Sequence, residues 1–327
     1  MQRDIRVAAC QFEARDGAKA HNLEQIARLT KLSVEKGAEV VVFHECCCTG
    51  YTFLQTLSSA ALLALAEPIP GPTTSALCEI ARSSGAAVCA GLLEVDAGGS
   101  VYNSYVACEG EGVVARHRKL HPFVHPDLQP GQGFTLCTLR GVCFGFLTCY
   151  DNIIPENVRA TALLGAAVIV MPHVTGCVAS SMPGRGPVDP ALWANRDRDP
   201  AALRREFDGL KAREWLMRWL PARCWENGVF AVYSNNVGMD GDTVKPGGAC
   251  LLDPCGEVLD ECRALGEGIA VALLVGERHA TAPGRRYERS RRPELYGRLC
   301  EPLPQGLAPV TRPGWLRAFD AGGAEKK

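Results

Sequence analysis

Residues 144–159, FGFLTCYDNIIPENVR, hold the pattern that decides how the chain is read. An apolar strand, residues 142–148, runs into Cys149 at a tight turn, and residues 156–164 then read as a helix. A strand–nucleophile–helix arrangement exposes the side chain at the turn and aims backbone N–H groups at whatever charge develops there. The helix N-terminus adds positive potential. Taken alone, Cys149 is one cysteine among sixteen, and a cysteine picked at random from so many is structural far more often than reactive.

Two further segments carry comparable chemistry. Residues 40–51, VVVFHECCCTGY, deliver Glu45 at the end of an apolar strand, where open α/β sheets place reactive groups. Residues 114–123 read VARHRKLHPF, and strand alternation puts Arg116 and Arg118 on one face and Lys119 on the other. Separately, Glu45 reads as a solvated loop acid and Lys119 as part of a basic edge strand that discourages stray pairing. In order along the chain they give Glu, Lys and Cys, each at a strand end, with Cys149 thirty positions after Lys119.

The rest of the chain supports an α/β fold. Residues 5–11 (IRVAACQ) and 39–44 (EVVVFH) are apolar strands flanking a helix over 18–36, whose stripe is Leu23, Ile26, Ala27, Leu32 and Val34. A helix over 73–84, a strand over 86–94 and a hairpin of 101–109 with 112–120 follow. Residues 166–172 and 228–235 are strands, 247–253 pairs with 257–263 in a second hairpin, and 268–275 is a last strand. Residues 174–199, rich in Gly, Pro, Ser and Arg, read as a long functional loop. Residues 201–227 read as helix, with Pro221 expected to kink or break it. Residues 1–283 thus form one domain, and 284–327 read as an extended C-terminal tail, basic at its start and suited to an oligomer interface.

Composition excludes several classes. The 327 residues carry a formal net charge of −1, with 47% hydrophobic and 22% charged residues, which argues against nucleic-acid or anionic-membrane binding. The start has no apolar leader and the longest apolar stretch, around 160–174, is too short for a membrane span, so a cytoplasmic protein with reduced thiols is expected. Adjacent Cys46, Cys47 and Cys48 cannot all point at one ion, and paired CxxC elements are absent, so no metal is expected.

The three segments together resemble the nitrilase (carbon–nitrogen hydrolase) superfamily. The resemblance lies in Glu45 with Thr49–Gly50–Tyr51, in Arg118–Lys119–Leu120–His121, and in Cys149–Tyr150–Asp151 with Pro155–Glu156. It continues through Ala222–Arg223, Glu226–Asn227 and residues 235–238 and 247–256. It implies a four-layer α-β-β-α sandwich, a catalytic triad of Glu45, Lys119 and Cys149, no cofactor, and assembly as a homodimer or larger homo-oligomer. The family pattern also carries a second Glu several residues after the lysine. Residues 120–155 contain no Glu, which leaves His125 or Asp127 as substitutes. The sequence CWEN at residues 224–227 imitates a nitrilase nucleophile, yet no strand delivers Cys224, so Cys224 and Trp225 are read as structural.

On this reading Cys149 attacks a carbonyl or nitrile carbon, Glu45 takes the thiol proton, and Lys119 with the Tyr150 N–H holds the oxyanion. Cys149–Tyr150–Asp151 is similar to the amidase and carbamoylase branches, so a small amide or carbamoyl substrate is favoured, with a nitrile as the alternative. An acyltransferase and a non-catalytic binding protein on the same fold remain alternatives. Tyr51, Tyr150, His173, Asn235 and Asp127 are the candidate substrate-binding residues, each equally readable as framework. The 174–199 loop, with Trp193, is a candidate lid.

Overall fold

The computed structural model describes residues 1–302. Its strands, in chain order, are β1 (Ile5–Gln11), β2 (Val40–Val42), β3 (Ala87–Val95), β4 (Val101–Glu109), β5 (Gly112–Arg118), β6 (Thr135–Leu139) and β7 (Val142–Phe146). They continue with β8 (Val168–His173), β9 (Phe230–Asn235), β10 (Val237–Asp240), β11 (Thr243–Pro246), β12 (Cys250–Leu252), β13 (Val258–Glu261) and β14 (Gly268–Leu274). The helices are α1 (Lys19–Glu35), α2 (Ser59–Leu65), α3 (Pro72–Ser84), α4 (Tyr150–Ile153), α5 (Pro155–Leu163), α6 (Pro190–Ala194), α7 (Pro200–Asp208), α8 (Arg213–Asn227), α9 (Gly276–Thr281) and α10 (Pro283–Arg289).

Two six-stranded sheets form, in the orders β14-β1-β2-β3-β4-β5 and β13-β12-β9-β8-β7-β6, with β10-β11 as a separate ribbon. Each sheet has a parallel centre, β1-β2-β3 and β7-β8-β9, flanked by antiparallel strands. The unbroken apolar runs of the central strands follow from burial on both faces. Val7, Ala9, Val40 and Val42 meet Phe144, Val168, Val170 and Val232 between the sheets. Their neighbours Ala8, Cys10, Val41 and Phe43 pack on the other side with Ile26 and Leu29 of α1 and Leu77 of α3. Across the molecule Ile169, Met171 and Ala231 meet Val158 of α5 and Leu216 and Leu220 of α8. The layers are therefore helix, sheet, sheet, helix, the four-layer sandwich expected.

Four details differ from the sequence reading. The buried stripe of α1 is Asn22, Ile26, Leu29, Thr30 and Ser33, and Leu32 faces outward. The 201–227 helix is two helices, α7 and α8, parted between Gly209 and Ala212, while Pro221 sits inside α8 without ending it. A proline costs the helix one hydrogen bond, and packing of Leu216, Leu220 and Cys224 on the second sheet outweighs that loss. The 174–199 stretch contains α6, capped by Asp189 Oδ1 accepting from Ala191 N at 2.8 Å.

The fourth difference is at the C-terminus. Residues 284 onward do not begin as an extended tail: α10 is helical, and Gly284 lies so close to Gly228 that a Cβ there would sit 2.1 Å from its nitrogen. Residues 303–327 of the expected tail lie outside the described residues. Among the described residues no helix is long and apolar enough to cross a membrane.

Candidate active site

Glu45, Lys119 and Cys149 arrive from the ends of β2, β5 and β7. Beyond β2, Phe43 still pairs through its N–H to Cys89 O at 2.9 Å, and the chain then turns at Cys46, which takes a left-handed φ of 47°. Gly91 on β3 makes room for this turn. Lys119 continues β5 by one residue, its N–H donating to Asn103 O at 2.9 Å. His117 and Lys119 point inward, while Arg116 and Arg118 both pair with Glu94 on the other face, as alternation requires.

Cys149 occupies a strained turn between β7 and α4, with φ 52° and ψ −106°. Its N–H donates to Pro172 O at 2.8 Å. The Tyr150 N–H has no acceptor among the described residues. It is free to face an oxyanion.

The Lys119 ammonium and the Glu45 carboxylate form a fully buried pair, Nζ to Oε1 at 2.6 Å. Asn103 Nδ2 donates to the same Oε1 at 2.7 Å. Glu45 Oε2 is left without a hydrogen-bond partner. Burial pushes the Cys149 thiol up to about 12, the Glu45 charge pushes the same way, and Lys119 only partly opposes it. Burial also works against the charge on Lys119, but Glu45, Cys149 and Asp151 outweigh it and raise its pKa. The resting site is therefore an ion pair beside a neutral thiol, with an unengaged carboxylate oxygen as the base that thiol needs.

Asp151 ties two of the three positions together. Its Oδ2 accepts from Leu120 N and Thr148 N, both at 3.1 Å, and its Oδ1 accepts from His121 N at 3.0 Å. One buried carboxylate thus clamps the segment after Lys119 onto the turn before Cys149. Arg223 of α8 holds α4 from the other end, donating to Asn152 O at 3.2 Å and Ile153 O at 2.9 Å. Asn103, Asp151 and Arg223 are supporting residues to which the sequence reading gave no role. Asp151 and Arg223 lay inside quoted motifs, but only through-space contacts reveal what they hold.

The predicted pocket residues separate into two groups. Tyr51 is buried with its ring 5.5 Å from Lys119 Nζ and its OH unpartnered; burial, then Glu45 and Cys149, hold its pKa well above the phenol range. Tyr150 packs edge-on against Phe123, whose ring lies 4.6 Å from Lys119 Nζ. His173 is buried at the end of β8 beside Tyr233 and Trp219. Asn235 is engaged with backbone: its Oδ1 accepts from Thr175 N, and its Nδ2 donates to Thr175 O and Gly247 O. All its polar capacity toward the loop is spent on framework.

Asp127 forms no hydrogen bond or ion pair with the triad among the described residues. Its carboxylate is 44% exposed and 3.9 Å from His125 Nδ1, and His125 Nε2 is engaged with Leu57 O at 3.0 Å. Neither residue pairs with Lys119 among the described residues. The decoy Cys224 is buried in α8, where desolvation raises its pKa, and Trp225 stacks toward Tyr287 of α10. All sixteen cysteines are free, and among the described residues no cluster of His, Cys, Asp or Glu suits a metal ion.

Two stacked mixed sheets with an acid, a lysine and a thiol at their strand ends define a class of hydrolase, and comparison with known proteins gives the same class. Residues 6–282 match the carbon-nitrogen hydrolase family, and the chain belongs to it, within the nitrilase superfamily. It is an amidase-like enzyme of that family. An (R)-stereoselective amidase of Pseudomonas sp. is 33% identical over 261 residues, 79% of this chain and 80% of the relative. An N-carbamoylputrescine amidase of Solanum lycopersicum is 27% identical over 314 residues, 89% of this chain and 93% of the relative. The amidase from Nesterenkonia sp. AN1 shares the fold. A mutant of it carrying the acetamide moiety of fluoroacetamide at the active-site cysteine is 25% identical, with a TM-score of 0.67 over 90% of this chain and 97% of that one. A double mutant of the same amidase holds acrylamide, at 24% identity and the same TM-score and coverage.

Proposed function

We propose that this enzyme hydrolyses the carbon–nitrogen bond of a small amide or carbamoyl compound through a thioester on Cys149. The observation that carries the reading is the Glu45 carboxylate, neutralised through Oε1 by Lys119 and Asn103 and left with Oε2 unengaged. Oε2 takes the thiol proton as sulfur attacks the carbonyl carbon. The oxyanion is held by Lys119 Nζ and the Tyr150 N–H, each such donor contributing about 100–1000-fold. Glu45 then gives the proton to the leaving nitrogen, and ammonia or an amine departs. Water enters, loses a proton to Glu45 and attacks the thioester carbon; the acid leaves, and the proton returns to sulfur.

Amides are favoured over nitriles because the three relatives above are amidases by name, one of them an N-carbamoylputrescine amidase. Release of ammonia from small amides, carbamoyl compounds and nitriles tests this, with Cys149→Ala in parallel. Release from amides or carbamoyl compounds is expected, reduced by four orders of magnitude or more (about the loss seen when a nucleophile is removed) in the variant. Release confined to nitriles would make the enzyme a nitrilase instead. Turnover retained in Cys149→Ala would remove Cys149 from the chemistry.

A further inference from the structure

Tyr51 lies against Lys119, and the peptide that follows it is held from the far end of the chain. The Thr52 N–H, part of the Tyr51–Thr52 peptide, donates to Asp240 Oδ1 at 3.0 Å. The Thr52 hydroxyl donates to Asp240 Oδ2 at 2.5 Å. The carbonyl of the same peptide, Tyr51 O, accepts from Leu54 N at 3.1 Å. Both polar ends of that peptide are therefore fixed, and the ψ of Tyr51, −64°, is fixed with them. With a φ of −130° the residue is neither helical nor extended, so no regular element sets its direction.

Asp240 is the last residue of β10, next to the ribbon turn, yet it is not a solvated turn acid. Its side chain is 2% exposed, and Lys245 Nζ of β11, also buried, lies 3.9 Å from Oδ2. A buried carboxylate must be paired and hydrogen-bonded. Lys245 supplies the opposite charge from within the ribbon, and Thr52 supplies the two donors. The ribbon is itself anchored. Val237 and Val244 pack with Trp193, Leu203 and Phe207 of the long segment after β8, and Met239 N donates to Glu13 Oε1 at 2.9 Å. A continuous set of contacts thus runs from that small core through Asp240 and Thr52 to Tyr51, whose ring lies 5.5 Å from Lys119 Nζ.

We propose that Asp240 is a positioning residue for substrate selection: by holding Thr52 it fixes Tyr51 as a wall of the acyl site beside Lys119, and so sets which acyl chains the enzyme accepts. This rests on the amidase reading above, with Tyr51 facing the acyl group. Hydrogen bonds to an ionised carboxylate are the stronger kind, and two of them converge on one residue here. Other contacts hold the reacting groups: Asn103 and Lys119 hold Glu45, and Asp151 holds the turn before Cys149. Selection can therefore change through KM while the chemical step keeps its geometry. A purely structural Asp240 would act differently, because loss of folded enzyme lowers kcat by one factor on every substrate and leaves KM where it was.

The test is the ratio of kcat/KM for butyramide to that for acetamide, with urea midpoints measured on the same preparations. Butyramide reaches the wall and acetamide touches little beyond the reacting atoms. The ratio is expected to fall by about tenfold in Asp240→Ala and by about threefold in Thr52→Val, through a higher KM for butyramide. Asp240→Asn is the conservative variant. Its amide keeps an acceptor for the Thr52 N–H and can donate to the hydroxyl, but it loses the charge that faces Lys245. It should restore the ratio while its midpoint falls, whereas Thr52→Val leaves the Asp240–Lys245 pair intact and should keep its midpoint. An unchanged or higher ratio in Thr52→Val overturns the inference, and so does a ratio that follows the midpoint, lost in Asp240→Asn and kept in Thr52→Val. Either result leaves the amidase reading standing. Turnover of carbamoyl compounds and of no simple amide also overturns this inference alone, since no acyl chain is then selected. No turnover of either class overturns the amidase reading and this inference with it. Thr52→Val keeps the result decisive even if Asp240→Ala does not fold.

Discussion

Lys119→Met is expected to lower turnover by about 1000-fold or more and to destabilise the protein by about 3–5 kcal/mol. The two effects have separate origins. Activity falls because the variant loses an oxyanion donor and the cation that fixes Glu45. Stability falls because the Glu45 carboxylate, with no exposed side-chain surface, keeps only Asn103 for company. Removing one member of a buried pair costs far more than removing both. The double variant Glu45→Gln/Lys119→Met should therefore recover most of the stability and none of the activity. Urea unfolding midpoints and ammonia release, measured on the same preparations, report the two quantities separately. Equal stability for the wild type and Lys119→Met would mean that the ion pair is not buried as described.

Gly91→Ala is also expected to lower turnover, although Gly91 bears no functional group. A Cβ at this position would sit 2.3 Å from Cys46 N and 3.0 Å from Glu45 C, both backbone atoms that cannot swing aside. The turn that presents Glu45 would have to shift. Cys48 N donates to Gly91 O at 3.0 Å, so β3 and the turn are bonded together and would move at the cost of that contact. A displacement of about 1 Å in a reacting group costs on the order of 100-fold in rate, and overpacking of this kind about 1–3 kcal/mol in stability. Gly133→Ala, where a Cβ would meet nothing within 4 Å, is the matched control. A fully active Gly91→Ala enzyme would show that Glu45 need not be held to this geometry.

Much of the fold was readable because the central strands are buried on both faces and so appear as unbroken apolar runs, each ending in a residue with chemistry. Glu45 and Cys149 stood out for that reason, whereas Lys119 comes at the end of the edge strand β5, and the structure brings Glu45 and Lys119 into direct contact beside the thiol. The β6–β7 hairpin escaped notice because its turn is Arg140–Gly141. Both residues take positive φ, 51° and 79°, which a two-residue hairpin turn requires. Asn-Gly or Asp-Gly announces such a turn in a sequence, and Arg-Gly does not. Leu32 was placed on the buried stripe of α1 by its hydrophobicity, whereas Asn22 and Ser33 hold that face with hydrogen bonds to Cys48 O and Leu29 O.

Site detail was the least legible level. Asn235 and His173 both follow apolar strands and look alike in sequence. One spends its amide on loop backbone, and the other keeps a buried ring nitrogen unpaired. Asp151 reads as a helix-start acid two residues after Cys149, yet its carboxylate joins the β5 end to the β7 end. Which partner a polar side chain finds is fixed by segments far away in the chain, and periodicity carries no trace of it.

The most direct test of the account is the mass of the enzyme trapped during turnover of a small amide by rapid acid quench, followed by mapping of the modified peptide. The account predicts an added acyl group on the peptide that contains Cys149, lost in Cys149→Ala. An acyl group on Cys224, or steady turnover with no acyl-enzyme and undiminished by Cys149→Ala, would contradict it.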